Sequence, residues 1–327
     1  MNAIYLQTND AEQNEVIAFR RDADGTLSRL GSWATGGRGT GKPHLASQSS
    51  VVVSGDTLLV VNAGSDDVSL FAIGDDGIAL LDRVASGGTM PTSIAVRDAS
   101  VFVLNAGGDA NVTGFTLADG KLAPSADTRA LSGADPAQIG FTPDGSTLVV
   151  TDRATNALIS LPVAGGEPTR QASSGATPYG FDFARDGTLV VTEAFGGAVG
   201  AAAASSYGAG LEPVSKSVAN TRSEVCWAAV TNDGRFAFVT NFGDGTISSY
   251  AIRADGSIEL VDPVAGSTVM GEKGVRDEAL SADGRFLYAL DADARRIFAF
   301  AVRDDGRLDP VGDVDGLPAT AAGLAAV

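Results

Sequence analysis

The chain has 327 residues, a net charge of −17 and no Lys/Arg-rich block. That excludes a nucleic-acid backbone or an anionic membrane surface as partner, because both demand clustered positive charge. One cysteine, Cys226, excludes a disulfide framework and a cysteine-based metal cluster, while 44% hydrophobic residues, 6% aromatics and 41 glycines point to a large core with many tight turns.

From the N-terminus, Met1-Asn2-Ala3-Ile4-Tyr5-Leu6 passes directly into polar Gln7-Thr8-Asn9-Asp10. With no basic segment and no long apolar stretch there, no signal peptide is expected, and a cytoplasmic location follows. A short apolar run leading to a polar residue then recurs down the chain. Ala3–Leu6 leads to Asn9, Leu58–Val61 to Asn62, Val101–Leu104 to Asn105, and Leu148–Val150 to Asp152. Leu189–Val191 leads to Glu193, Phe236–Val239 to Asn241, and Phe286–Leu290 to Asp291. The spacing of roughly 40 to 55 residues is that of propeller blades. Runs this short and this rich in Val, Leu and Phe read as strands buried on both faces.

Asp-Gly pairs, suited to tight hairpins, fall in two frames. Those at 144, 186, 233 and 283 precede the apolar run; those at 24, 76, 119, 255 and 305 follow the next strand. In an up-and-down four-stranded blade the first and third hairpins share one side of the disc. One face is therefore built of short turns, and the other carries the longer, varied loops where function is expected.

The C-terminal segment Leu317–Val327 resembles an innermost strand with nothing after it, and the N-terminus opens on a second-type strand. The expected fold is all-β: one seven-bladed propeller of four-stranded antiparallel blades over 1–327. Six complete blades span about 41–317, and the seventh combines 1–40 with 318–327. A ring closed in this way leaves no sheet edge, so a monomer is expected. Gly196–Gly210 is alanine-rich, but its place in the repeat predicts a third strand after an enlarged loop rather than a helix.

On the loop-rich face, His44 is the only imidazole and hence a candidate general base. Glu193 stands where other units carry Asn or Asp; a narrow channel would raise its pKa and make it an acid or base, while a turn acceptor is the alternative. Arg222 and Arg276, at the start of innermost strands, are candidates for binding a carboxylate or stabilising an oxyanion. Lys42, Gln48, Gln138, Tyr179 and Trp227 are candidate ligand contacts. Cys226 reads as a structural thiol, since no histidine lies in its unit. No cofactor is expected. The ring Asn9, Asn62, Asn105, Asp152, Glu193, Asn241 and Asp291 reads as structural, with Ca²⁺ as its alternative occupant.

Four segments carry a resemblance to a known family: Val61–Ser65, Asp135–Gly145, Glu193–Gly197 and Cys226–Thr231, joined by the glycine-rich stretch Gly36–Gln48. The chain resembles the lactonase-like propellers, the group containing bacterial 6-phosphogluconolactonase and fungal carboxymuconate lactonizing enzyme. The resemblance implies a His, an Arg and a Glu around the channel mouth. Here Ala137 stands at the His position, Thr177 at the Arg position, and Glu193 matches the Glu. The implied function is a lactone hydrolase acting on a lactone or sugar acid; the alternative is a catalytically silent propeller that binds a small molecule or protein.

Overall fold

The computed structural model describes residues 2–43, 45–46 and 48–327; His44 lies outside the described residues. Seven four-stranded antiparallel sheets form a ring of blades. Blade 1 joins Ala322–Ala326 to Ala3–Gln7, Glu15–Arg21 and Leu27–Ala34, in that order from the axis outward. Blades 2 to 7 follow in sequence, with innermost strands Val51–Ser54, Thr89–Arg97, Pro136–Phe141, Pro178–Phe183, Val225–Val230 and Val275–Leu280. The expected split blade is present: Ile4 pairs with Ala326, and Tyr5 with Ala325.

The recurring apolar runs are the second strands. In blade 2, Leu58, Leu59, Val60 and Val61 are all 0% exposed, because each strand is pressed between two neighbouring blades. The core is accordingly a series of seams rather than one centre. Leu59, Leu70, Val101 and Phe115 join blades 2 and 3, and Val190, Ala204, Val239 and Tyr250 join blades 5 and 6.

Both Asp-Gly frames do share one face. Gly25 and Gly306 have φ of 89° and 80°, and a Cβ on either would meet the ring of Phe286 or Phe236 in the preceding blade, at 2.3 and 2.6 Å. Glycine is required there twice over, for the backbone angle and for the close approach.

One local expectation changes and another holds. In the first unit, Gln7 rather than Asn9 ends the buried strand; Asn9 sits beyond it, holding Thr40 and the Lys42 carbonyl. The alanine-rich segment forms a 3₁₀ turn at Phe195–Gly197 and then the strand Ala203–Tyr207, as its place in the repeat predicts.

Innermost strands are latched to one another by side chains. Ser93 Oγ accepts from Ile139 N at 3.2 Å, Gln138 Oε1 from Phe181 N at 2.7 Å, and Asp182 Oδ2 from Val230 N at 2.8 Å. Each link crosses from one blade to the next. Removing residues 318–327 would leave Ala3–Gln7 as an open, apolar inner edge. The truncated protein is expected to melt at least about 10 °C lower, or to aggregate. A circular-dichroism melt indistinguishable from the full chain would show that the closure contributes little.

Candidate active site at the channel mouth

All innermost strands enter from the loop-rich face, so their first residues surround the channel mouth. On blade 5, Tyr179 packs against Trp227 of blade 6 with ring centroids 4.8 Å apart. Arg153, just after the second strand of blade 4, lies over the Tyr179 ring at 4.9 Å and donates to its hydroxyl at 3.1 Å. Across the mouth, Arg276 lies over Phe242 at 4.7 Å and donates to Asp293 at 2.9 Å. Both guanidinium groups bear on the thiol of Cys226 between them. Burial nevertheless dominates, together with Glu224, and pushes that thiol up to about 12, so Cys226 stays a thiol.

The polar accounting of this region is unbalanced. Trp227 Nε1, Arg276 Nε and Arg222 Nε are buried N–H donors without an acceptor among the described residues. A buried donor left unpaired costs roughly 1–3 kcal/mol. Trp227 Nε1 and Arg276 Nε, on neighbouring blades beside Cys226, mark a place suited to an acceptor-rich molecule, whereas Arg222 lies with Asp244.

Glu193 is placed differently from the catalytic expectation. It is 0% exposed, and its carboxylate accepts from Gly175 N at 2.7 Å, Ser205 Oγ at 2.6 Å and Ser217 Oγ at 2.7 Å. Burial raises its pKa, against the lowering effect of these bonds. Its direction is away from the axis, into blade 5. There it fastens the segment entering the blade to the third and outer strands.

The two glutamines also act within the protein. Gln138 makes paired bonds with the Phe181 backbone, accepting at 2.7 Å and donating at 2.9 Å. Gln48, at the entry to blade 2, donates to the Ala228 carbonyl of blade 6 at 2.8 Å and accepts from Ala228 N at 3.3 Å. Two blades separate these partners around the ring, so the side chain spans the channel. Nearby Ala46 packs with Tyr179, Cys226 and Trp227. Lys42 is exposed, and Arg222 makes a 3.5 Å ion pair with Asp244.

The structure thus gathers Tyr179, Trp227 and Arg276, with Arg153 as an unanticipated member, and keeps Glu193 apart. Arg153 directly follows the ring residue Asp152; its position after a strand end at the mouth was the available signal. The opposite face is not featureless: a groove of about 550 Å³ runs between blades 4 and 5, lined by Pro143, Ser160, Thr169 and Arg185. Among the described residues no group of three or more His, Cys, Asp or Glu side chains is placed to hold a metal, and no helix is long and apolar enough to cross a membrane.

A family model described as "Lactonase, 7-bladed beta-propeller" matches residues 11–128 and 193–321. The chain belongs to this family. Solved structures with the same fold include a 6-phosphogluconolactonase candidate from Bacteroides uniformis, 19% identical over 98% of both chains with a TM-score of 0.75. A protein from Lactobacillus plantarum is 19% identical over 100% of this chain and 99% of its own, with a TM-score of 0.77. A periplasmic gluconolactonase from Pseudomonas aeruginosa is 18% identical over 98% of both chains, with a TM-score of 0.71. At these identities the likeness is one of fold. No curated protein matches the chain.

The three bonds to Glu193 define a test. Glu193→Ala orphans three donors and should cost about 2–4 kcal/mol in urea unfolding, with Glu193→Gln retaining most of the stability. A Gln variant as stable as wild type but devoid of lactone turnover would instead place this carboxylate on the substrate.

Proposed function

We propose that the chain is a lactone hydrolase whose channel mouth takes a sugar lactone bearing an anionic group. The observation that carries this reading is the pair of unpaired, buried donors on Trp227 and Arg276, with Arg153 over the adjoining Tyr179 ring, in a protein of net charge −17. Arg153 and Arg276, each already paired on one side with an aspartate (Asp135 at 2.6 Å, Asp293 at 2.9 Å), border an aromatic floor suited to a carboxylate or phosphate. The 6-phosphogluconolactonase name among its structural neighbours agrees with an anionic sugar lactone, and the gluconolactonase name with a sugar lactone.

In the proposed reaction, water adds to the lactone carbonyl carbon, and Arg276 stabilises the oxyanion as it forms. His44, chosen on chemical grounds as the one imidazole, accepts the water proton. The ring C–O bond then breaks, the leaving alkoxide takes up that proton, and the product is the open hydroxy acid. Arg153 holds the substrate anion and acts before the chemical step. A second reading, ligand binding without turnover, is favoured by one fact: Glu193 is wholly engaged in hydrogen bonds inside blade 5.

Proton release from gluconolactone and 6-phosphogluconolactone, measured by pH-stat beside calorimetric binding of the corresponding acids, separates these readings. Hydrolysis above background, reduced about 100-fold in kcat by Arg276→Gln and mainly through KM by Arg153→Gln, is the expected result. Binding of the acids without any hydrolysis would establish the silent reading. Neither binding nor hydrolysis would remove both.

A further inference from the structure

The ring residues are not alike. Asn62 and Asn241 donate within their own blades, to Ser69 Oγ at 2.8 Å and Ser248 Oγ at 2.9 Å. Blades 4 and 7 carry aspartate instead, Asp152 and Asp291, and these are the blades that supply Arg153 and Arg276 to the channel mouth. A carboxylate only accepts, so it takes different partners. Asp152 is 0% exposed; its Oδ1 accepts from Asp135 N at 2.9 Å and Ala154 N at 3.0 Å. Its Oδ2 accepts from Thr155 Oγ1 at 2.5 Å and Arg170 Nη1 at 2.8 Å. These bonds tie the entry of the innermost strand to the turn that carries Arg153. In blade 7, Asp291 accepts from Ala294 N at 2.9 Å and Thr268 Oγ1 at 2.7 Å. That fixes the turn carrying Asp293, the partner of Arg276.

The guanidinium of Arg153 is held on the frame so made. Its Nε donates to the Asp135 carbonyl at 3.3 Å, Nη2 to Asp135 Oδ1 at 2.6 Å and Nη1 to the Tyr179 hydroxyl at 3.1 Å. Arginine carries five N–H donors, so Nη1 and Nη2 each keep one that no described residue takes. We propose that Asp152 is a positioning residue for anion recognition. By locking Asp135 and the turn at 152–155 to each other, it holds Arg153 pre-aimed over Tyr179. The planar fork then receives the substrate phosphate or carboxylate without having to be ordered first. Asp152 has its own counter-ion in Arg170 and so does not draw Arg153 away from the mouth. Asp291 serves Arg276 in the same way, through Asp293. This inference rests on the anionic sugar lactone reading and deepens it: recognition of the anion is assigned to an arginine together with the buried aspartate behind it.

The test is calorimetric binding of 6-phosphogluconate and turnover of 6-phosphogluconolactone by wild type, Asp152→Asn, Arg153→Gln and the double variant. Asn is the ring residue of blades 2, 3 and 6, so the first variant should fold, yet it can accept from only one of the two donor pairs around Asp152. Asp152→Asn should weaken binding and raise KM about 10-fold, with kcat within about twofold of wild type. In the Arg153→Gln background it should add nothing, because the residue it positions is gone. Unchanged binding, an equal loss in both backgrounds, or a fall in kcat alone would overturn the inference. A ligand-free crystal structure of Asp152→Asn decides the positioning independently: Arg153 released from Asp135 or Tyr179 supports it, and an unmoved Arg153 removes it. Wild type that neither binds nor turns over these compounds would sink the anionic lactone reading, and that crystal structure would still decide the role of Asp152. Should Asp152→Asn not fold, Arg170→Gln takes its place in every arm with the same outcomes.

Discussion

Pairing of Ala322–Ala326 with Ala3–Gln7 turns a row of similar sheets into a ring, and every other feature of the molecule depends on it. None of the blades could bury its own faces alone; each apolar seam needs the next blade, and the last seam needs the first. The closure also fixes the axis. Once the ring is shut, the innermost strands cannot slide independently, and the links from Ser93, Gln138 and Asp182 to the following blade set their heights. Side chains from blades far apart in sequence can then meet at one place, as Gln48 and Ala228 do.

Around that axis several buried polar groups have no partner among the described residues. Near the mouth two buried donors are unpaired, Trp227 Nε1 and Arg276 Nε. Deeper in, the unpaired groups are acceptors: both oxygens of Glu278 and one of Asp277. Buried polar groups are ordinarily satisfied, so the unpaired donors of Trp227 and Arg276 are what the proposed acceptor-rich ligand would meet. Gln48 ties the entry of blade 2 to the Ala228 backbone of blade 6.

The repeat was readable in sequence because two signals of different origin coincide. Runs such as Leu58–Val61 report burial on both faces, and pairs such as Asp24-Gly25 report the turns between strands. The two chain ends supplied complementary parts of one blade, three strands and one, which made the closure legible as well. The site was legible only in part. Tyr179, Trp227 and Arg276 could be placed from their position at the start of innermost strands. Arg153 was hidden because a charged residue after a strand end reads as a solvated turn. For Glu193 the sequence position located a strand end and left acid, base or turn acceptor open, because the direction of its side chain depends on Ser205 and Ser217, contributed by later strands. Asp277 and Glu278 carried no warning, since acidic residues in a short strand suggest an exposed edge rather than a channel wall.

The central claim is that the donors around the channel mouth receive the anionic part of a sugar acid. A crystal structure of the protein soaked with 6-phosphogluconate tests it most directly. The account predicts phosphate or carboxylate oxygens within hydrogen-bonding distance of Arg153, Arg276 and Trp227 Nε1, over the Tyr179–Trp227 floor. Density for the ligand in the groove between blades 4 and 5 instead, with the mouth donors still unpaired, would contradict it.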